Sequence, residues 1–459
     1  MSHPKTIKAE AKSLLILGLP LIGSQVAQFA VHTTDVLMLG RYSIDALAQS
    51  TLGAQIYFVA FVLGSGFAFA ILPMVAKAAD EKDWQSVRRS TRMGLWTSTL
   101  AFVVLMIPMW FSEPLLLAIK QKPDVAAGAQ VYLRIAGWGL LPFLWASVLR
   151  SYLSALEHTA VVFWLAVVTL MANVAANYLL IYGNLGAPEL GLRGAAIASL
   201  TVSVLSFVGF AMYTVRVFPE HDLFRRFWRA DWQAIWKVTL LALPISGTAL
   251  AESGLFAAAT FMMGAIGKVE IAAGGIVIQP AALAFMFHLG LSQAATIHAG
   301  YAFSRQDRAA LHRTAIASGI VSTGFAILVV ILFITAPSEI VELFVDDDDP
   351  ITPAVIALGV TLMFTAAAFQ FVDAAQVLGL GVLRGLQDTA VPMVLAVVSY
   401  WGVGAPVAYA LGLPLGYGAV GVWVGLVAGL TAAAILLWWR YAYMQARVGQ
   451  VIPPPQPPP

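Results

Sequence analysis

Long apolar stretches alternate along the chain with short charged or turn-rich breaks. A helix that crosses a bilayer needs about 20 predominantly apolar residues. Twelve stretches meet that requirement: 13–40, 50–76, 92–111, 128–154, 160–182, 191–217, 237–263, 271–300, 313–336, 353–380, 390–411 and 418–442. Apolar residues occupy every face of these stretches instead of alternating over about ten residues, which excludes a β-barrel. The pattern predicts an all-α polytopic membrane protein with twelve transmembrane helices. The first stretch is too long for a signal peptide and carries histidine and an acid at its far end, so it reads as an uncleaved span. Proline at every position but Gln456 makes Pro453–Pro459 an extended tail.

Composition agrees. Of 459 residues, 60% are hydrophobic and 11% charged, against roughly 25% charged in soluble domains. A net charge of +2 excludes a strongly basic nucleic-acid binder. Cysteine is absent, which removes thiolate metal sites, redox pairs and disulfides.

Charge also sets sidedness. With the N-terminus inside, the inner segments hold Lys5, Lys8 and Lys12, five bases in 77–92, Arg150, five bases from Arg216 to Lys237, and then Arg305, Arg308, Arg313, Arg384, Arg440 and Arg447. These 20 stand against five outside, Arg41, Lys120, Lys122, Arg193 and Lys268. The positive-inside rule therefore places both termini in the cytoplasm.

The two halves resemble each other. An offset of 224 residues pairs Pro20 with Pro244, Met38 with Met262, Gly40 with Gly264, Asp83 with Asp307 and Arg89 with Arg313. Leu153–Val161 matches Leu383–Val391 at an offset of 230. Each half holds an even number of spans, so both enter the membrane in the same direction, as a parallel repeat. The expected organisation is a six-helix lobe over 1–217, a cytoplasmic linker over 218–236, a second six-helix lobe over 237–445 and a disordered tail over 446–459. Pro20 and Pro244 are expected to kink or weaken the first helix of each lobe.

Three acids lie well inside spans: Asp35, Glu252 and Asp373. Each costs several kcal/mol (about) on a lipid-facing surface, so each should face the interior of its bundle. Arg134, close to a helix end, is the only nearby base. Two of the three asparagines, Asn173 and Asn177, share one helix face in the fifth span. They read either as an interhelical hydrogen-bond pair or, with Asp35 and Thr201, as a polar ion or substrate pocket. His32, His288 and His298 read as core histidines, since no spacing resembles a metal site. The run Asp346–Asp349 reads as a solvated outer loop. No phosphate-binding loop, His-Glu-x-x-His or Gly-x-Ser-x-Gly pattern occurs, so neither ATP hydrolysis nor an intramembrane hydrolase is expected.

Twelve spans in two repeats, Leu-Pro opening the first and seventh, and a lone acid in spans one, seven and ten resemble the multidrug and toxic compound extrusion (MATE) transporters, in their bacterial NorM-like branch. The resemblance reaches to about residue 445. Its specific points are Asp35 before Met38-Leu39-Gly40, Glu252 eight residues after Pro244, and Leu383–Thr389 after the tenth span. It implies cation-binding carboxylates at Glu252 and Asp373 in the second lobe, with a candidate sodium site there. It implies a second proton- or sodium-linked pocket at Asp35, Asn173, Asn177 and Thr201. Phe369 stands where NorM-like members often carry a tyrosine, so a hydroxyl ligand is missing while a ring face for a cation remains.

The expected activity is export of organic cations in exchange for protons or sodium ions by alternating access, with no cofactor beyond the coupling ion. The expected setting is the bacterial inner membrane, with the protein working as a monomer and without nucleic-acid partners. Two alternatives rank below it. A lipid-linked oligosaccharide flippase of the same wider fold would favour a basic cavity, for which only Arg134 and Arg150 are available. A membrane-embedded enzyme would need a nucleophile–base or metal constellation.

Overall fold

Among the described residues, twelve helices are long and apolar enough to cross a membrane, and each overlaps one of the twelve predicted stretches. They are α1 (Ile7–Tyr42), α2 (Ile44–Asp80), α3 (Trp84–Trp110), α4 (Pro123–Ala155), α5 (Thr159–Leu180), α6 (Gly191–Val217), α7 (Trp232–Ile266), α8 (Lys268–Ser304), α9 (Arg308–Thr335), α10 (Thr352–Gly385), α11 (Ala390–Gly412) and α12 (Gly418–Arg447). This is a computed structural model, and it describes residues 6–225, 227–345 and 350–449. Lys5, Arg226, Asp346–Asp349 and Pro453–Pro459 lie outside the described residues. No strand occurs among the described residues. The chain is an all-α, multi-pass integral membrane protein.

Contacts gather the chain into two compact units, Leu17–Gly254 and Met1–Ile16 with Leu255–Pro459. The boundaries fall inside α1 and α7, the helices that carry Pro20 and Pro244. Each proline removes the hydrogen bond to the carbonyl four residues back, at Ile16 and Leu240, and both helices nevertheless run on through the ring. In the first unit α2 packs on α3 and α4, α5 packs on α6, and α6 packs on α4. In the second unit α8 packs on α9 and α10, α11 packs on α12, and α12 packs on α10. The second set is the first moved on by six helices.

Local backbone carries the same repeat. Asp83 caps α3 by accepting from the Ser86 N–H at 3.0 Å, and Asp307 caps α9 by accepting from the Ala310 N–H at 2.8 Å. Preceding each cap, α2 and α8 end on a left-handed residue, Lys82 (φ 56°) and Gln306 (φ 52°). At each end the two closing bonds match: Lys82 N–H to Ala79 and Asp83 N–H to Ala78, then Gln306 N–H to Phe303 and Asp307 N–H to Ala302. Glu157 (φ 65°) and Gln387 (φ 59°) form a second such pair. Short helices, Ser112–Ala118 and Pro337–Glu342, follow α3 and α9. Sequence patterning missed them because seven and six residues are too few to register as spans.

A side chain in the left-handed region strains the chain by roughly 1–2 kcal/mol. Lys82→Gly should therefore stabilise the protein by about 0.5 kcal/mol, after allowing for glycine's extra freedom when unfolded. A rise in the thermal midpoint in detergent checks this. An unchanged or lower midpoint contradicts it.

The linker is pinned to α3. Arg89 Nε donates to Asp231 Oδ2 at 2.5 Å, and Trp96 Nε1 donates to the Phe227 carbonyl at 2.8 Å. Arg92 donates to the carbonyls of Leu223, at 2.6 Å, and Asp222. Asp231 also caps α7, accepting from the Ala234 N–H at 3.0 Å. The Arg89 guanidinium and these backbone donors hold the Asp231 carboxyl below its ordinary 3.8. A depressed carboxyl contributes stability that is fully present above the ordinary value and is lost as pH falls through the depressed one. Asp231→Ala should cost about 1 kcal/mol at pH 7, most of it the helix cap because the ion pair is half-exposed. Thermal midpoints of wild type and variant should converge below pH 4 (about). A constant difference across that range would contradict this.

Candidate functional site

In the unit Leu17–Gly254, α1 and α5 bring three predicted residues together. Asp35 Oδ1 accepts from Asn173 Nδ2 at 2.9 Å and from Asn177 Nδ2 at 2.6 Å. One turn separates the asparagines on α5, and Asn177 Nδ2 also reaches Asn173 Oδ1 at 3.4 Å. Both asparagines are fully buried. The two readings of this pair are thus joined: the amides bond each other, and their shared target is the intramembrane carboxylate. Asn177 Oδ1 is buried without a hydrogen-bond partner among the described residues, so a carbonyl oxygen remains beside the carboxylate for a proton donor or a small cation. Thr201 sits differently: it is exposed, and its hydroxyl donates to the Ile197 carbonyl of its own helix at 2.7 Å.

Two tyrosines not foreseen from sequence, Tyr57 on α2 and Tyr132 on α4, lie within electrostatic range of Asp35. Sequence offered little signal, because a lone tyrosine in an apolar span is ordinary.

Glu252 lies on α7 in the same unit, two turns beyond Pro244, and is partly buried. Asp373 lies on α10 in the other unit and is described there. It is 1% exposed. Gln370 and Gln376, one turn before and one turn after it, are fully buried. Both amide atoms of Gln370 lack a hydrogen-bond partner among the described residues. Burying an amide unmatched costs about 1–3 kcal/mol, and here it stands one turn from a buried carboxyl. Phe369 makes edge-to-face contacts with Phe256 (5.9 Å) and Trp423 (6.0 Å). That fixes its ring beside Asp373 along α10.

Span α11 widens in its middle. Val398–Gly404 is π-helical, and it carries the buried Ser399 and Tyr400. Pro406 lacks the N–H that would bond the Gly402 carbonyl, which explains the loosening one turn upstream. Such widened turns recur at functional sites. The hydrophobic pattern could not reveal it, since composition is the same for either helix.

The histidines differ among themselves. His288 is buried and shares a 2.7 Å hydrogen bond with Ser322 Oγ. His298 meets Glu10 at 2.8 Å, and Thr314 Oγ1 donates to the same Glu10 oxygen at 3.0 Å. Glu10 is thus a buried acid held by α8 and α9, although its place among Lys5, Lys8 and Lys12 suggests an interfacial charge. His32 is exposed. Arg134 Nε donates to the Trp110 carbonyl at 3.2 Å, its guanidinium over the Trp110 ring.

Comparison with known proteins follows this geometry. One family model, MatE, matches the chain twice, over residues 20–179 and 244–410. The chain belongs to the MatE family. The two matched stretches begin at Pro20 and Pro244, the positions that align the halves. Among similar proteins, the "Probable multidrug resistance protein NorM" of Rhizobium meliloti (strain 1021) is 46% identical over 95% of this chain and 94% of that protein. The protein of the same name from Agrobacterium fabrum (strain C58) is 42% identical over equal shares. The eukaryotic MATE transporter AtDTX14 matches in fold with a TM-score of 0.87 at 17% identity, covering 96% of this chain and 98% of that one. A MATE family transporter solved in an outward-facing conformation matches at 0.88 and 17%, covering 98% and 100%. Membership in a transporter family places this chain outside the enzymes.

Proposed function

We propose that the protein is a secondary active multidrug efflux antiporter, exporting organic cations in exchange for protons or sodium ions by alternating access. The observation that carries this reading is the placement of charge. Asp35, partly buried, takes two asparagine donors on one carboxylate oxygen, and Asp373 is 1% exposed beside the buried Gln370 and the ring of Phe369, so both acids stand within spans where a proton or cation gains from pairing with them. The names of the NorM relatives support multidrug export, and the family supports passage of a small molecule through a two-unit membrane protein.

In this cycle an organic cation enters from the cytoplasm and pairs with ionised carboxylates among Glu252, Asp373 and Asp35, the last held by Asn173 and Asn177. Aromatic faces such as Phe369 add attraction for a flat, delocalised cation. After access switches, protons or sodium ions take the carboxylates and release the drug. The return step carries the inorganic ion inwards. Coupling needs only that drug and ion disfavour each other on the shared acids, a reciprocal free-energy linkage. A pyrophosphate-bearing lipid would have only Arg134 and Arg150 to meet it, and Arg134 already donates to the Trp110 carbonyl, which leaves the cation reading ahead of the flippase one.

Purified protein in liposomes tests the proposal. Uptake or release of an ethidium-type cation is followed under a sodium gradient and, separately, a pH gradient. One gradient should drive transport uphill and the other should not substitute fully. Movement independent of both gradients would contradict antiport. The inner-membrane setting, cytoplasmic termini and action as a monomer belong to the same proposal.

A further inference from the structure

A crevice opens on the surface of the unit Leu17–Gly254 where the last turns of α6 meet the linker. Its volume is 400 Å³, and Phe207, Ala211, Met212, Val215, Arg216 and Phe224 line it. Phe207, Ala211 and Val215 recur every four residues, so one stripe of α6 forms the floor. Met212 and Val215 are 52% and 53% exposed, which in a membrane-spanning helix is a surface turned to hydrocarbon. Phe224 closes the other side.

That linker wall is fixed before any ligand arrives. Its neighbours Leu223 and Phe227 are held through their carbonyls by Arg92 and Trp96. Trp96 stacks on Phe227 at 5.9 Å, and Trp145 packs on both Phe207 (5.1 Å) and Phe227 (6.1 Å). Binding there costs little ordering of the protein.

Arg216 is the one charged lining residue, and it occupies the last turn of α6, exposed. The neighbouring chain exposes Trp228, Trp232 and Trp236, side chains that favour the depth of lipid headgroups. The linker adds Arg225 and Arg229, with Lys237 just beyond it; of its acids Glu220, Asp222 and Asp231, Asp222 is paired with Arg225 at 3.1 Å and Asp231 with Arg89 at 2.5 Å. An apolar slot open to the membrane, with a guanidinium at its mouth and a basic surround, has the complement of one particular molecule.

We propose that this crevice binds one anionic phospholipid from the leaflet on the linker side. An acyl chain lies along Phe207, Ala211 and Val215, and the headgroup phosphate takes the fork of Arg216. The net negative charge of the headgroup distinguishes it from a zwitterionic lipid through the basic surround. The chain distinguishes it from a soluble phosphate.

Native mass spectrometry of the full-length protein, delipidated in detergent, tests this with phosphatidylglycerol, phosphatidylcholine and inorganic phosphate as probes. Wild type should retain one phosphatidylglycerol in preference to phosphatidylcholine. Arg216→Gln should weaken that adduct about fivefold, the factor for one basic residue at an anionic surface, while Arg216→Lys retains most of it. Ala211→Trp, which fills the slot, should remove both lipids alike, and thermal midpoints of the lipid-free variants report whether each is folded. Equal retention of phosphatidylglycerol by wild type and Arg216→Gln would overturn the proposal. So would equal affinity for the two lipids, or displacement of the lipid by inorganic phosphate.

Discussion

Asp373→Asn should lower ion-driven export of an organic cation by at least about tenfold, within the range of one site-to-site coupling energy, while the thermal midpoint in detergent changes little. The reason lies in what surrounds the carboxyl. Asp373 is 1% exposed on a helix whose neighbouring turns carry the fully buried Gln370 and Gln376 and the ring of Phe369. An amide of the same shape can join that polar company, so the fold survives. It cannot ionise, so nothing remains for a drug cation and a coupling ion to contend over. Asp35→Asn should act in the same direction in the other unit, where Asn173 and Asn177 converge on the carboxylate oxygen. Transport in liposomes with an imposed gradient gives the reading. Full export by both variants would remove the carboxylates from the mechanism.

Gly385→Val should damage folding severely. Ser292 Oγ donates to the Val377 carbonyl and Thr296 Oγ1 to the Gly381 carbonyl, each at 2.8 Å, stitching α8 to α10. The approach this requires leaves no room for side chains. A Cβ at Gly385 would stand 2.7 Å from the Thr296 carbonyl oxygen and 2.5 Å from the Ala299 Cβ. Backbone lies on both sides of the clash, so neither helix can yield without separating. Small residues spaced by four serve this purpose in membranes. The expected loss is about 3–5 kcal/mol, from overpacking together with the two stretched hydrogen bonds. Gly319→Ala is the control, since nothing lies within 4 Å of a Cβ there, and it should be neutral or stabilising by up to about 1 kcal/mol. Thermal unfolding and yield of folded protein in detergent compare the two. Similar midpoints for both variants would contradict the packing argument.

Hydrophobic patterning located all twelve spans, because a continuous apolar run of membrane length has few other solutions. The repeat was legible too, and pairs chosen for their polar character turned out to be structural equivalents: Asp83 and Asp307 both cap helices. The Asp35 cluster was legible because asparagine is scarce and its spacing puts both amides on one face. Other features depend on distant partners. Glu10 meets residues 288 and 304 positions away, and no local pattern announces that. Tyr57 and Tyr132 look like ordinary span residues until the fold brings α2 and α4 towards Asp35. Thr201 lies on a different helix from its expected partners, and a helix hydroxyl has its own i−4 carbonyl as a ready alternative.

The central claim is that drug and ion share the intramembrane carboxylates, and equilibrium binding tests it without the complication of transport. The affinity of purified protein for a lipophilic cation such as tetraphenylphosphonium is measured across sodium concentration at fixed pH, and across pH without sodium. Where one ion fully excludes the drug, affinity should fall by about tenfold for each tenfold rise in that ion, and Asp373→Asn or Asp35→Asn should flatten the dependence. Affinity that ignores both sodium and pH in the wild-type protein would contradict the account.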